Sequence, residues 1–246
     1  MFNLDSEFVY DPYPTGVIKN IFSSDVFDNL SDSFPPIELF KKMNNLGSKY
    51  SLSELNNRKE YHQFIKSKPA WASIYREIKK GNFIKHVIDE LLRHKVNLMV
   101  KHYLPFRHAG IKGLVWQIKN GKLPRHISAR FEFSAMPAGG GSIFPHTDHV
   151  SKLATIVIFM NKPGELADVD GGGLSICVPK EKVNTFNLEN RWVDFSDVEQ
   201  HFYIPPKPNT GSLFVKTYDS LHCVMPISGP NGVLRKTLTI NLELNQ

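Results

Sequence analysis

The segment Phe144-Pro-His146-Thr-Asp148 places an imidazole and a carboxylate two residues apart, and a further imidazole, His222, follows far downstream. Alternate side chains of an extended strand project from one face, so His146 and Asp148 can share one metal ion. Two imidazoles and one carboxylate on one side of a metal form the facial set that suits non-haem Fe(II) and leaves positions open for a co-substrate and dioxygen. His222, at the end of the strand-like run Ser212-Leu-Phe-Val-Lys-Thr-Tyr, is placed to complete that set.

A second group sits on the last β-rich run. Arg235, Thr237, Thr239 and Asn241 alternate with Lys236, Leu238, Ile240 and Leu242, so the polar residues share one face. A buried guanidinium flanked by threonine hydroxyls suits bidentate binding of a carboxylate, which a dicarboxylic co-substrate would supply. The competing reading pairs Arg235 internally with Glu132 or Glu243.

Strands must carry these residues, and the texture from about residue 127 fits strands: short β-rich runs over 127–136, 143–148, 153–160, 173–178, 211–217 and 233–244, separated by Gly, Pro and Asn. The first half reads as mostly helical. Ser23-Ser24-Asp25 is a capping signal, and Ile74, Ile78, Ile84, Val87, Ile88, Leu91 and Leu92 recur at helical spacing around a break at Gly81. Helices first and strands afterwards predict a mainly β fold with α: a jelly-roll core with N-terminal helices buttressing one sheet. We expect one domain over 1–246, with a mainly helical support region at 1–126 and the catalytic core at 127–246.

The 246 residues, 41% of them hydrophobic, can bury a full core, which excludes a disordered tail or a collagen-like repeat. The net charge of +6 is regional: residues 76–125 hold twelve Lys/Arg against three Asp/Glu. Because these lysines recur on the polar side of an apolar helical pattern, they read as a solvated face. Cys177 and Cys223 lie in apolar runs and read as buried thiols, not as a disulfide framework or zinc site. The start lacks signal-peptide character and no apolar run spans a membrane, so a cytoplasmic protein without membrane contact is expected.

In chain order stand Met136-Pro-Ala-Gly-Gly-Gly-Ser-Ile-Phe-Pro-His146-Thr-Asp148, Lys152-Leu-Ala-Thr155-Ile-Val-Ile-Phe159-Met-Asn161, Gly172-Gly173-Leu174, His222 and Arg235. Over residues 129–244 this order resembles the Fe(II)- and 2-oxoglutarate-dependent dioxygenases, in particular their prolyl-4-hydroxylase-like branch. The resemblance implies a double-stranded β-helix with Fe(II) on His146, Asp148 and His222, the catalytic residues. It also implies 2-oxoglutarate as co-substrate, with Arg235 on its far carboxylate and Thr237 or Thr239 adding a hydrogen bond. Dioxygen would then be consumed with release of succinate and carbon dioxide, and a small molecule, an amino acid or a peptidyl residue hydroxylated. Met136 and Phe159 stand where many relatives have tyrosines that contact the co-substrate, and neither can hydrogen-bond a carboxylate. Asp148 disfavours halogenation, because halogenases of the family have Ala or Gly there.

Two alternatives compete. One directs the same chemistry at alkylated nucleic acid, which the lack of a second Arg beyond Arg235 disfavours; the other is a cupin-like metal-binding module that never activates oxygen. The helical half offers a surface for a homodimer. His149 is expected on the opposite strand face from Asp148, Lys152 as an exposed lysine near the barrel mouth, His201 as a structural residue in a loop, and Gly139-Gly-Gly141 as a flexible lid beside the iron. Loops at 139–142, 162–170 and 184–208 are expected to select the substrate.

Overall fold

In the computed structural model, residues 2–43, 47–98, 103–105, 125–181 and 192–245 are described. The final strand, β13 (Leu234–Asn245), shows how the sequence specifies two environments. Leu238, Ile240 and Leu242 are fully buried against the helical layer, while Arg235, Thr237, Thr239 and Asn241 turn the other way, into the space between two sheets. β13 pairs antiparallel with β6 (Arg125–Pro137) on one side and β8 (Lys152–Phe159) on the other. β11 (Thr210–Val215) continues this major sheet beyond β8.

The minor sheet holds β7 (Ile143–His146), β9 (Leu174–Pro179), β10 (Val198–Ile204) and β12 (His222–Val224), in the order β10-β9-β12-β7. From β6 to β13 the chain crosses between sheets at every connection except the β9–β10 hairpin. With the core orders β6-β13-β8-β11 and β7-β12-β9-β10, this is a double-stranded β-helix, the jelly-roll variant expected from the sequence.

The helices α1 (Ser24–Asp32), α2 (Arg58–Ser67), α3 (Pro69–Ile78) and α4 (Gly81–Arg93) cover the outer face of the major sheet. Phe131 and Phe133 of β6 anchor the contact: Trp71 and Phe64 meet Phe133 at 4.6 and 5.6 Å between ring centroids, and Tyr61 meets Phe131 at 5.5 Å. Such edge-to-face aromatic contacts add to the stability gained from burial.

The first half is less purely helical than its pattern predicts. β1 (Ser6–Val9) and β2 (Thr15–Lys19) extend the major sheet past β11, and β3 (Lys41–Lys42) and β4 (Tyr50–Ser53) extend it past β6. These strands are two to five residues long, too short for a period-two pattern to show. β5 (Tyr103–Pro105) runs parallel to the start of β6.

Several expected details change. β7 ends at His146, so Asp148 follows the strand instead of lying within it. β10 occupies part of the expected 184–208 loop and carries His201, whose Nε2 lies 3.2 Å from Asp11; residues 184–191 lie outside the described residues. The Gly139–Gly141 turn is tied by Gly140 N–H donating to the Ile227 carbonyl and Ile227 N–H donating to that of Gly141; it does not line the metal-site cavity. Within the basic stretch, Lys79, Lys80, Lys85 and Arg93 pair with Glu54, Glu77, Asp89 and Glu90, as a solvated face would; residues 99–102 and 106–124 lie outside the described residues. Cys177 and Cys223 are free, buried and 3.5 Å apart between sulfurs. No helix among the described residues is long and apolar enough to cross a membrane.

Candidate metal centre and co-substrate cavity

His146 and His222 are register partners on β7 and β12, with ring centroids 4.4 Å apart. Each ring is oriented by a backbone carbonyl two residues earlier: Nδ1 of His146 donates to Phe144 at 2.8 Å and Nδ1 of His222 to Ser220 at 3.0 Å. A carbonyl only accepts, so each Nδ1 carries the proton and each Nε2 presents its lone pair. Burial, reinforced by His222, pulls His146 down to about 3, and burial likewise lowers His222, so both rings are neutral at physiological pH and fit for ligation.

Asp148 reaches the same point from the loop between sheets. One ligand atom from each of His146, Asp148 and His222 falls within 4.8 Å of the others. Two imidazoles and a carboxylate, all buried or half-buried, make a donor set that fits Fe(II) or a similar divalent ion. The carboxylate is held at both oxygens: Lys152 Nζ donates to Oδ1 at 2.6 Å and Thr155 Oγ1 to Oδ2 at 2.6 Å. Thr155 in turn lies 3.2 Å from Oδ1 of its cross-strand partner Asn241. Burial opposes ionisation of Asp148, but Lys152 and the two imidazoles outweigh it and hold the carboxyl well below its ordinary range.

A cavity of about 90 Å³ extends inward from this cluster. Thr155, Val157, Phe214 and Leu174 line it, and Arg235, Thr237 and Thr239 stand with them on its wall. Arg235 is 3% exposed, and burial draws its guanidinium down to about 10, which still leaves it charged at neutral pH. Among the described residues no carboxylate pairs with it. Its Nε donates to the Gly172 carbonyl, one terminal nitrogen lies 3.4 Å from Thr237 Oγ1, and its guanidinium carbon sits 5.3 Å from the Phe159 ring centre. Glu132 and Glu243, the internal partners considered from sequence, are instead engaged by Lys49 at 2.5 Å and Arg130 at 2.6 Å.

The Gly172-Gly173 pair has a steric reason. Gly172 has φ of +77° and turns its carbonyl to Arg235, while a Cβ on Gly173 would fall 2.2 Å from the Ile204 carbonyl oxygen.

Two of the sequence-derived contacts with the co-substrate differ. Met136 is the register partner of Arg235, yet it packs with Ala138, Val224 and Ile227 and does not line the cavity. Phe159 lies beneath the guanidinium as a cation–π partner instead of on the cavity wall. Lys152 is not an exposed lysine: its side chain is 18% exposed because the Asp148 carboxylate draws the ammonium inward. His149 is exposed and bonds Ser151, as expected of a residue outside the ligand set. Three residues at the site were given no role from the sequence. Thr155 and Asn241 have no local motif and meet only through the β8–β13 register, while Trp192 stacks on His146 at 4.4 Å through an isolated bridge.

Neither a protein-family model nor a curated protein sequence matches the chain. Solved structures similar to it include a Trichoplax adhaerens prolyl hydroxylase in complex with a hypoxia inducible factor oxygen degradation domain peptide fragment, 13% identical, covering 95% of this chain and 85% of that one at a TM-score of 0.47. A Pseudomonas putida prolyl-4-hydroxylase is 12% identical, with 96% of each chain covered and a TM-score of 0.46. A Phytophthora capsici prolyl 4-hydroxylase is 15% identical, covering 94% of this chain and 58% of that one at a TM-score of 0.48.

Proposed function

We propose that this chain is an Fe(II)- and 2-oxoglutarate-dependent dioxygenase that hydroxylates a small molecule, an amino acid or a peptidyl residue. One observation carries the reading: a 2-His-1-carboxylate cluster and a buried arginine with no carboxylate partner among the described residues line the same cavity. When bound, Fe(II) supplies dioxygen activation coupled to decarboxylation of the 2-oxo acid.

The chain's own residues bind, orient and exclude. His146, Asp148 and His222 would hold the ion, with the Arg235 cavity beside them to take the co-substrate. Arg235 receives the far carboxylate of 2-oxoglutarate, and Thr237 and Thr239 are the hydroxyls beside it. Phe214, Val157 and Leu174 keep the cavity wall apolar, which strengthens the Arg–carboxylate attraction and limits water. A metal-binding module without oxygen chemistry supplies no anion for the charged guanidinium on the cavity wall.

Calorimetric titration of 2-oxoglutarate into the metal-loaded protein tests the assignment. Arg235→Met should weaken binding at least about tenfold, since a charged hydrogen bond contributes roughly 1.5–3 kcal/mol. Equal affinity in wild type and variant would contradict it.

A further inference from the structure

Outside the metal cluster lies a second hollow, of about 460 Å³, that shares Lys49, Ile143, His146, Asp148 and Lys152 with the inner cavity. Its wall combines Leu55, Ile143 and Trp192 with Lys49, Arg130, Glu132 and Glu243. These four charges cancel in pairs: Lys49 on Glu132 at 2.5 Å and Arg130 on Glu243 at 2.6 Å. Lys152 is the cation of the basin whose ion-pair partner, Asp148, is itself a member of the metal cluster.

We propose that Lys152 is the anion-recognition residue of this outer basin, and that the substrate taken there carries a carboxylate. The proposal rests on the Fe(II)/2-oxoglutarate reading and adds the substrate class. A divalent ion on two neutral imidazoles and Asp148 leaves one positive charge at the centre; with Arg235 and Lys152 the site holds three. A dicarboxylic co-substrate brings two negative charges, and one cation remains. Lys152 lies at the junction of cavity and basin, so a carboxylate paired with it sits beside the metal cluster. Leu55, Ile143 and Trp192 then face the apolar body of the same molecule. Lys49 and Arg130 are neutralised by glutamates outside the metal cluster, whereas a bound metal ion would draw on the Asp148 charge that neutralises Lys152.

The test uses the full chain loaded with redox-inert Zn(II), with and without 2-oxoglutarate, and reads Kd by calorimetry. The probes are free L-amino acids and N-acetyl tripeptides ending in a free carboxylate, each beside its primary amide; whichever set binds identifies the source of the carboxylate. In wild type the acid should bind at least about tenfold tighter than its amide, the margin expected of a charge-assisted hydrogen bond. Lys152→Met should collapse that ratio to about two or less, and Lys152→Arg should retain most of it. The thermal midpoint of each metal-free variant reports folding, and Zn(II) affinity reports separately how far Asp148 loses its Lys152 donor. Equal binding of acid and amide by wild type, no binding by any acid, or an unchanged ratio in Lys152→Met overturns the proposal. So does a variant that loses 2-oxoglutarate affinity alone, which would assign Lys152 to the co-substrate. If wild type fails to bind 2-oxoglutarate, the dioxygenase reading falls, while the ratio measured with Zn(II) alone still decides the role of Lys152.

Discussion

His146 and His222 are register partners across the β7–β12 ladder, so both imidazoles come from the minor sheet. Asp148 is held by Thr155 and Lys152 of β8, in the major sheet. A metal bound by all three therefore ties the two sheets together at the mouth of the jelly roll.

That arrangement makes metal binding a stability measurement. Anaerobic Fe(II), or Zn(II) as an inert substitute, should raise the thermal midpoint, with stabilisation of about 2.7 kcal/mol at a hundredfold excess over Kd. His222→Ala should abolish the increment, and a chelator should reverse it in wild type. An increment that persists in His222→Ala would place the metal elsewhere.

Thr155→Val tests the support behind the ligand. The Asp148 oxygen that accepts at 2.6 Å would lose its hydroxyl donor with little change in side-chain volume. Removing an outer partner of a ligand typically lowers metal affinity about 10- to 100-fold. Competition against a chromophoric chelator reads the change, and an unaltered Kd would show that Lys152 alone positions the carboxylate.

Gly173→Ala probes the turn that delivers the Gly172 carbonyl to Arg235. The added methyl would meet the Ile204 carbonyl at 2.2 Å, so β9 and β10 must separate. A loss of at least about 2 kcal/mol in denaturant unfolding is expected, in the range of overpacked core sites. Gly140→Ala meets no neighbouring atom but sits at φ +85°, so it measures the separate cost of a side chain in left-handed backbone, a cost that Gly173 does not carry.

Glu132 gives the chain a specific acid sensitivity. Burial alone would raise its pKa, but Lys49 at 2.5 Å, with Arg130, lowers it from 4.5 to about 2. A depressed carboxylate pKa stabilises the fold above the unfolded value, and that contribution is lost as pH falls from about 4.5 towards 2. Between pH 5 and pH 3, wild type should lose on the order of 2 kcal/mol more than Glu132→Gln. Parallel losses in urea titrations at the two pH values would contradict the assignment.

How much of this was legible before the structure depends on element length. The twelve-residue β13 carries its alternation openly, so the shared face of Arg235, Thr237, Thr239 and Asn241 could be read directly. β12 has three residues and β3 has two, and no periodicity can emerge from so few. The candidate ligands were visible because histidine and aspartate types limit the chemistry. The partners of Asp148 were not, because a lysine four residues on and a threonine seven residues on become neighbours of a carboxylate only when the chain turns after β7. Met136 and Phe159 do turn to the same side of the sheet as their register partners Arg235 and Thr237, but Met136 packs into the apolar cluster with Val224 and Ile227 and Phe159 lies against the guanidinium, contacts that position along a strand does not reveal.

The central claim, that this cluster holds Fe(II) and the Arg235 cavity receives 2-oxoglutarate, is tested most directly without any substrate. Fe(II) and 2-oxoglutarate are added anaerobically and the visible metal-to-ligand charge-transfer band is recorded for wild type, His146→Ala and Arg235→Ala. The band should appear in wild type, vanish in His146→Ala, and require at least about tenfold more 2-oxoglutarate in Arg235→Ala. Metal binding with no band at any 2-oxoglutarate concentration would contradict the account and leave a metal site without oxygenase chemistry.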